Sequence, residues 1–257
     1  MTEMQKEIAA LCKQLKLSAR MAERAMEIEG SSNQEYLIRL FDSEVKSRRD
    51  ARIASKLRSA NIPYAQSFED FDSSEVRFPD ELSLAQFRDL KFFREKKNIL
   101  MYGNTGTGKT MLSICIAIEA CMNDIGVRYY RTADLINRLT EARKSGRLSH
   151  FKEKLNGADI LILDEFGYVP YDLTGAQLLF DLVSEIYERK VLILNTNKEF
   201  SEWQEILIDP KMTKAMIGRV THHCHLILFP GEDWRFKHSS LSQMFKNMES
   251  ENERKHK

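Results

Sequence analysis

Residues 103–110 read Gly103-Asn104-Thr105-Gly106-Thr107-Gly108-Lys109-Thr110, and no other stretch restricts the fold so strongly. A glycine-rich turn closed by Lys and Thr works only where a buried strand runs into it and a helix leaves it. The glycines let the backbone curl until its N–H groups face inward, which makes a nest for a polyphosphate. Lys109 can reach the outer phosphates, and the Thr110 hydroxyl suits a magnesium ion. Met111 continues the helix whose positive end adds to the same anion site. The flanks fit this reading. Asn98-Ile99-Leu100-Met101-Tyr102 is an apolar run ending on Gly103, and Met111 to Met122 is largely apolar, without Gly or Pro.

A nucleoside-triphosphate site also needs a carboxylate near the metal. Ile160-Leu161-Ile162-Leu163 reads as a buried strand, with Asp164 and Glu165 where it emerges. Asp164 is expected to hold magnesium through its water shell, and Glu165 to orient and polarise the attacking water. The second acid points to hydrolysis of ATP by water, not to transfer onto a small acceptor. A further apolar run, Val191-Leu192-Ile193-Leu194, ends in Asn195-Thr196-Asn197. An amide there can bond the terminal phosphate and the water together. Asn197 is the first choice and Asn195 the alternative, since period two puts both on one side.

The rest of the chain divides by pattern. Met4, Ile8, Leu11 and Leu15 recur at helical spacing, a second helix is expected from Ser18 to Gly30, and a third from Ser32 or Asn33 to about Arg58. Residues 1–60 therefore read as a small all-α domain. Residues 61–82 read as a linker whose aromatics Tyr64, Phe68, Phe71 and Phe78 dock on the domain that follows. From 83 to 243 helix and strand signals alternate: helix 83–95, strand 98–102, helix 109–123, strand 126–130, helix 132–144, helix 147–156, strand 159–163, helix 174–189, strand 191–195 and an apolar run 224–229. That alternation implies an α/β fold, a parallel sheet flanked by helices, with ligands beyond the carboxyl ends of the strands. Residues 244–257 read as a polar, flexible tail.

Composition excludes several classes. The net charge is +1 over 257 residues, so any argument for nucleic acid must be local. No run of about eighteen apolar residues suggests a membrane span. The charged start Met1–Lys16 is unlike a signal peptide, and the four scattered cysteines suit a reducing, cytoplasmic setting. His222, His223, Cys224 and His225 invite a zinc reading, but adjacent side chains diverge and cannot close a tetrahedron on one ion.

Together these segments resemble an AAA+ ATPase and, more narrowly, the IstB-like ATP-binding proteins. These are helper ATPases of bacterial insertion sequences, related to the DnaC-type helicase loaders. The narrower resemblance rests on Asp164-Glu165-Phe166-Gly167-Tyr168-Val169-Pro170, on Asn197 to Trp203 and on Arg219-Val220-Thr221-His222-His223. Gly231-Glu232-Asp233-Trp234-Arg235 and the N-terminal stretch with Glu44, Arg48, Arg49, Ile62-Pro63 and Phe68 to Asp72 add to it. It spans about residues 1–240. Gly218 departs from the usual Asp and Trp234 from the usual Tyr or Phe. The resemblance implies that Arg219 is an arginine finger acting in the ATP site of a neighbouring subunit, and that Arg235 is a second sensor. It implies a homo-oligomeric ring or spiral with ATP at its interfaces, duplex DNA as partner, and a separately encoded transposase.

Two basic stretches are candidates for DNA phosphates. Arg48, Arg49, Arg52 and Lys56 share a predicted helix, where a solvated face explains them equally well. Arg138, Arg143, Lys144 and Arg147 follow strand 126–130, a region that tends to face the channel in an AAA+ assembly. Two other functions fit the core: a DnaC-like replicative helicase loader, separated by the partner of the N-terminal helices, and a P-loop kinase, separated by ATP turnover without an acceptor.

Overall fold

The computed structural model describes residues 2–18 and 20–231. Compact contacts divide the chain into two units, Met1–Lys56 and Leu57–Lys257. In the first, α1 (Glu3–Gln14) starts on a capping box in which the Thr2 hydroxyl accepts from the Gln5 amide. It is followed by α2 (Met21–Glu27) and by the long α3 (Asn33–Ser59), which runs on into the second unit. Cys12, Met21 and Leu40 form a small core with Ile8, Leu17, Ala25, Ile28 and Tyr36 around it. One buried acid, Glu44, accepts from the Ser18 amide at 2.8 Å, the Ser18 hydroxyl at 2.5 Å and Arg48 Nε at 2.8 Å. Burial raises its pKa, but the Ser18 and Arg48 bonds outweigh that and hold it below the usual carboxylate range.

The second unit opens with two short helices, α4 (Leu84–Arg88) and α5 (Lys91–Arg94). A continuous helix over 83–95 is expected from the pattern. Instead Leu90 takes a left-handed φ of 56° and breaks it, so that Phe87 and Phe92 stack with ring centroids 5.0 Å apart in the core. The alternation then runs β1 (Asn98–Gly103), α6 (Lys109–Met122), β2 (Val127–Arg131), α7 (Thr132–Lys144), α8 (Leu148–Asn156), β3 (Ile160–Phe166), α9 (Leu173–Ile186), β4 (Val191–Thr196), α10 (Trp203–Leu207), α11 (Pro210–Thr221) and β5 (Cys224–Phe229). All pairings among these five strands are parallel, in the order β2-β3-β4-β1-β5. Parallel strands covered on both faces must be apolar throughout. Accordingly Ile99, Met101, Ile162 and Ile193 face a core shared with α6, while Leu100, Leu163 and Leu194 face one shared with α7, α9 and α11.

Both edges of the sheet are covered by the segment between α3 and α4. Arg77 exchanges two backbone bonds with Leu228 on β5, at 2.9 and 3.0 Å, and the Tyr129 amide on β2 donates to the Ala60 carbonyl at 2.8 Å. Pairing or covering an edge removes a template for unwanted strand addition. Of the segment's aromatics, Phe68 and Phe71 are buried and Phe78 packs against the same core, whereas Tyr64 is exposed. Helix α11 is sharply started by Asp209, whose carboxylate accepts from the Met212 amide, and by Pro210 at its first position. It passes through Gly218 unbroken.

Of the three histidines near 222–225, His223 lies with its ring centroid 4.0 Å from that of His222, while His222 and His225 go to different partners. The His222 ring Nδ1 lies 2.7 Å from the Tyr187 hydroxyl, while His225 is buried, with ring nitrogens 3.7 and 3.8 Å from Glu81 and Glu95. Desolvation, aided by Lys97, lowers the His225 pKa against the opposing pull of Glu81 and Glu95. The fold therefore favours the neutral ring, and its contribution is complete above the ordinary His value of about 6.5 and lost as pH falls through the lowered folded value. Melting temperatures measured from about pH 7.5 to about pH 5.5 should fall less steeply for His225→Leu than for the wild type. Parallel curves would remove this assignment.

Candidate functional site

The glycine-rich turn lies between β1 and α6, and its glycines are needed for two different reasons. A side chain at Gly103 would place its Cβ 2.1 Å from the Phe229 carbonyl oxygen, so β5 leaves no room for one. Gly108, the residue before α6, has φ 102°, a conformation that L side chains rarely adopt. Within the turn the Thr107 hydroxyl donates to the Asn104 carbonyl at 2.8 Å, and Lys109 Nζ donates to the carbonyls of Gly103 and Asn104 at 2.6 and 2.5 Å. The lysine is thus folded over the turn, its ammonium at the mouth of the nest. Gly106 is left-handed, Thr105 meets the Tyr168 hydroxyl at 3.0 Å, and Met111 packs partly buried against the α6-side core.

The acid pair arrives from β3, which runs farther than its apolar run suggests. The strand continues to Phe166, and its pairing with β4 slips between Leu163 and Phe166. This irregularity separates the two acids, as a bulge re-aims side chains. Asp164 is buried, 2% exposed. Its Oδ2 accepts from the Thr110 hydroxyl at 2.8 Å and from the Tyr129 hydroxyl at 2.5 Å. Its Oδ1 accepts from Asn195 Nδ2 at 2.9 Å and from the Glu165 amide at 3.0 Å. Glu165 has a left-handed φ of 56° and an exposed carboxylate 3.6 Å from Arg131 Nε. For a residue with a side chain that conformation costs about 1–3 kcal/mol and tends to be kept where function needs it. Burial, and then the Asp164 charge, push the Tyr129 phenol far above its ordinary pKa, so its hydroxyl remains a donor.

The Thr110 hydroxyl and the buried Asp164 carboxylate, joined at 2.8 Å, bring together hard oxygens, the donor type that magnesium takes. The residues fit a metal-bound triphosphate. The two asparagines after β4 differ in employment. Asn195 is buried and committed: it donates to Asp164 and exchanges bonds with the Ser113 hydroxyl at 2.8 and 3.1 Å. Asn197 lies past the strand end, half-buried, and its Oδ1 is shielded from solvent without a hydrogen-bond partner.

Other candidates lie apart from this cluster. Arg219 sits late in α11 and its carbonyl accepts from Asn98 Nδ2 at 3.4 Å, at the start of β1. The nest follows the other end of that strand, about 16 Å away at ~3.3 Å per residue. The Arg219 guanidinium lies over the Phe180 ring at 4.7 Å and donates to the Ala215 carbonyl at 3.2 Å. It therefore does not meet the phosphate site of its own chain. In the first unit, Arg48 is occupied by Glu44 and by the Lys16 carbonyl, while Arg49 and Arg52 are exposed on α3 and Lys56 is half-buried. Arg138 lies over the Tyr130 ring at 5.5 Å, and Arg143, Lys144 and Arg147 are exposed at and just past the end of α7. Arg235 and Trp234 lie outside the described residues.

Tyr129 and Arg131 had no local signal, and Tyr168 stood in the Asp164–Pro170 stretch without a role of its own. Their importance comes from β2 lying beside β3 and from the loop after β3 returning to the nest, which only strand order reveals. Among the described residues no helix is long and apolar enough to cross a membrane, and no group of three or more His, Cys, Asp or Glu side chains is placed to hold a metal.

Comparison with known proteins gives a consistent picture. The ATP-binding protein of insertion sequence IS5376 from Geobacillus stearothermophilus is 32% identical over 212 residues, 82% of this chain and 84% of that one. That of insertion sequence IS232 from Bacillus thuringiensis is 30% identical over 203 residues, 79% of this chain and 81% of that one. Among solved structures, AMPPCP-bound DnaA from Aquifex aeolicus matches with TM-score 0.51 and 19% identity, over 67% of this chain and 52% of that one. DnaI matches with TM-score 0.50 and 14% identity, over 65% and 89%. These structures speak to the fold alone, a parallel sheet flanked by helices. The family model described as IstB-like ATP binding protein matches residues 9–242, and the chain belongs to that family.

Proposed function

We propose that this protein is a magnesium-dependent ATPase that assembles on duplex DNA with ATP between subunits and assists a separately encoded transposase. The observation that carries the reading is the joining of Thr110 and Asp164 at 2.8 Å on the rim where Lys109 and Glu165 also stand. Thr110 and Asp164 would hold magnesium, which when bound neutralises charge on the outer phosphates. Lys109 would bind those phosphates. Glu165, exposed and turned out of the strand by the bulge, would take up the proton of the attacking water. Asn197, with an unsatisfied buried oxygen, is better suited than the committed Asn195 to hold that water.

Arg219 supports the oligomeric part of the reading. Its distance from its own nest leaves a neighbouring subunit as the site it would serve, stabilising charge on the transferring phosphoryl group. The exposed Arg143, Lys144 and Arg147 suit sequence-independent phosphate contacts. Arg49, Arg52 and Lys56 on α3 are the second candidate surface. The relatives named above are insertion-sequence proteins, which favours transposition over helicase loading.

Three variants test separate parts. Lys109→Ala should abolish ATP binding in a nucleotide titration, and retained affinity would refute the nest. Glu165→Gln should bind ATP normally and hydrolyse it about 10²–10⁴-fold more slowly, while a filter or gel assay finds its DNA complex longer-lived. Turnover at the wild-type rate would strip Glu165 of its role. Arg219→Ala should bind ATP yet lose about 10³-fold or more in hydrolysis. Mixing it with the Glu165→Gln chain should restore part of the rate, since each supplies what the other lacks. No recovery on mixing would count against action between subunits.

A further inference from the structure

The outer side of β2 is paired with the end of a helix instead of another strand. The Tyr129 amide donates to the Ala60 carbonyl at 2.8 Å, Asn61 Nδ2 donates to the Tyr129 carbonyl at 3.0 Å, and Arg128 Nη1 donates to the Ser59 carbonyl at 2.7 Å. Three consecutive residues at the end of α3 are thereby tied to two consecutive residues of β2. Asn61 closes the helix with φ 60°, a left-handed conformation in which Asn and Gly are the usual residues. From the same strand position the Tyr129 side chain crosses the buried interior and its hydroxyl reaches Asp164 Oδ2 at 2.5 Å. A single residue thus touches the helix end through its backbone and the acid through its side chain.

We propose that Tyr129 is a positioning residue that sets the Asp164 carboxylate for magnesium and ties that setting to the seat of the last turn of α3 on β2. The inference rests on the reading of Thr110 and Asp164 as the metal site. Its physical content is a short bonded path, Asn61 to Tyr129 to Asp164, between the ATP site and the helix that leads out of the first unit. Two features make the path stiff. Both peptide groups of the Tyr129 backbone are used, so the residue cannot slide along the strand without breaking bonds to Ala60 and Asn61. The phenol is buried, and its hydroxyl donates to Asp164 Oδ2 at 2.5 Å. Thermodynamic reciprocity then requires that metal-bound nucleotide steady the helix end as much as the helix end improves the metal site.

The test uses the full chain and an ATP analogue that resists hydrolysis, titrated in magnesium and again in excess EDTA. In the wild type, magnesium should tighten binding. Tyr129→Phe, which removes one oxygen and keeps the ring, should forfeit about ten-fold of that gain, with affinity in EDTA unchanged. Asn61→Gly keeps the left-handed turn and deletes only the amide bond to Tyr129. It should forfeit a smaller part, about three-fold, and it answers the question independently should the Phe variant fail to fold. Amide hydrogen exchange supplies a readout apart from affinity: magnesium-nucleotide should slow exchange over residues 57–61 in the wild type and not in Tyr129→Phe. A wild-type magnesium gain in both variants, or exchange at 57–61 indifferent to magnesium-nucleotide in the wild type, overturns the inference and leaves the metal site standing. Absence of any magnesium gain in the wild type removes the metal site and the inference together.

Discussion

A carboxylate buried near the carboxyl end of β3, that of Asp164, is the constraint around which the second unit is arranged. Taking such a group out of water costs several kcal/mol unless its lone pairs are satisfied. Here four donors satisfy them: hydroxyls from β2 and α6, an amide from β4, and the backbone of the residue that follows. Each charge-assisted bond returns about 1.5–3 kcal/mol. The donors converge only because β3 lies between β2 and β4 with α6 across one face. Strand order, helix crossing and the phosphate rim are therefore coupled through one side chain.

The bulge beside it sends two adjacent acids to different surroundings. In a regular strand neighbouring side chains already point to opposite faces, but both stay within the layered interior. The slip after Leu163 and the left-handed turn at Glu165 instead bring the second carboxylate out to solvent, next to Arg131. Phe166 returns to the core directly afterwards and packs against Trp203, with ring centroids 4.4 Å apart. That aromatic contact anchors the far side of the irregular segment. It also accounts for Trp203 of the Asn197–Trp203 stretch as a packing residue, while Phe200 stays exposed with its ring centroid 5.2 Å from that of Trp203.

Polarity of the strands separates the remaining functional groups. A parallel sheet brings all its carboxyl ends to one rim, and the nest, Asp164 and Asn197 lie there. Arg219 precedes β5 and so belongs to the opposite rim. No side-chain rotation closes a gap of one strand length. That separation is the geometric ground on which Arg219 is proposed to serve the site of a second copy.

Local pattern carried much of this architecture. The apolar runs before Gly103, Asp164 and Asn195 are buried strands, and strands covered on both faces are apolar throughout. The glycine-rich turn needed a helix after it, and α7 falls on its expected bounds, Thr132 to Lys144. Short-range information failed where long-range packing overrode it. Leu90 breaks a helix to stack Phe87 on Phe92, and β3 runs on past its apolar residues because Asp164 finds partners in neighbouring strands. Arg48 pairs with Glu44 one turn earlier on α3, as i,i+4 spacing allows, but the Ser18 bonds that bury Glu44 and the Lys16 carbonyl that receives Arg48 come from a distant part of the chain, which periodicity cannot foresee. Tyr129 is the clearest case. Nothing in its neighbours marks it, and its meaning arises only when β2 lies beside β3. Chemistry that depends on consecutive residues is written in the chain, whereas chemistry that depends on which strands are adjacent exists only once the sheet has formed.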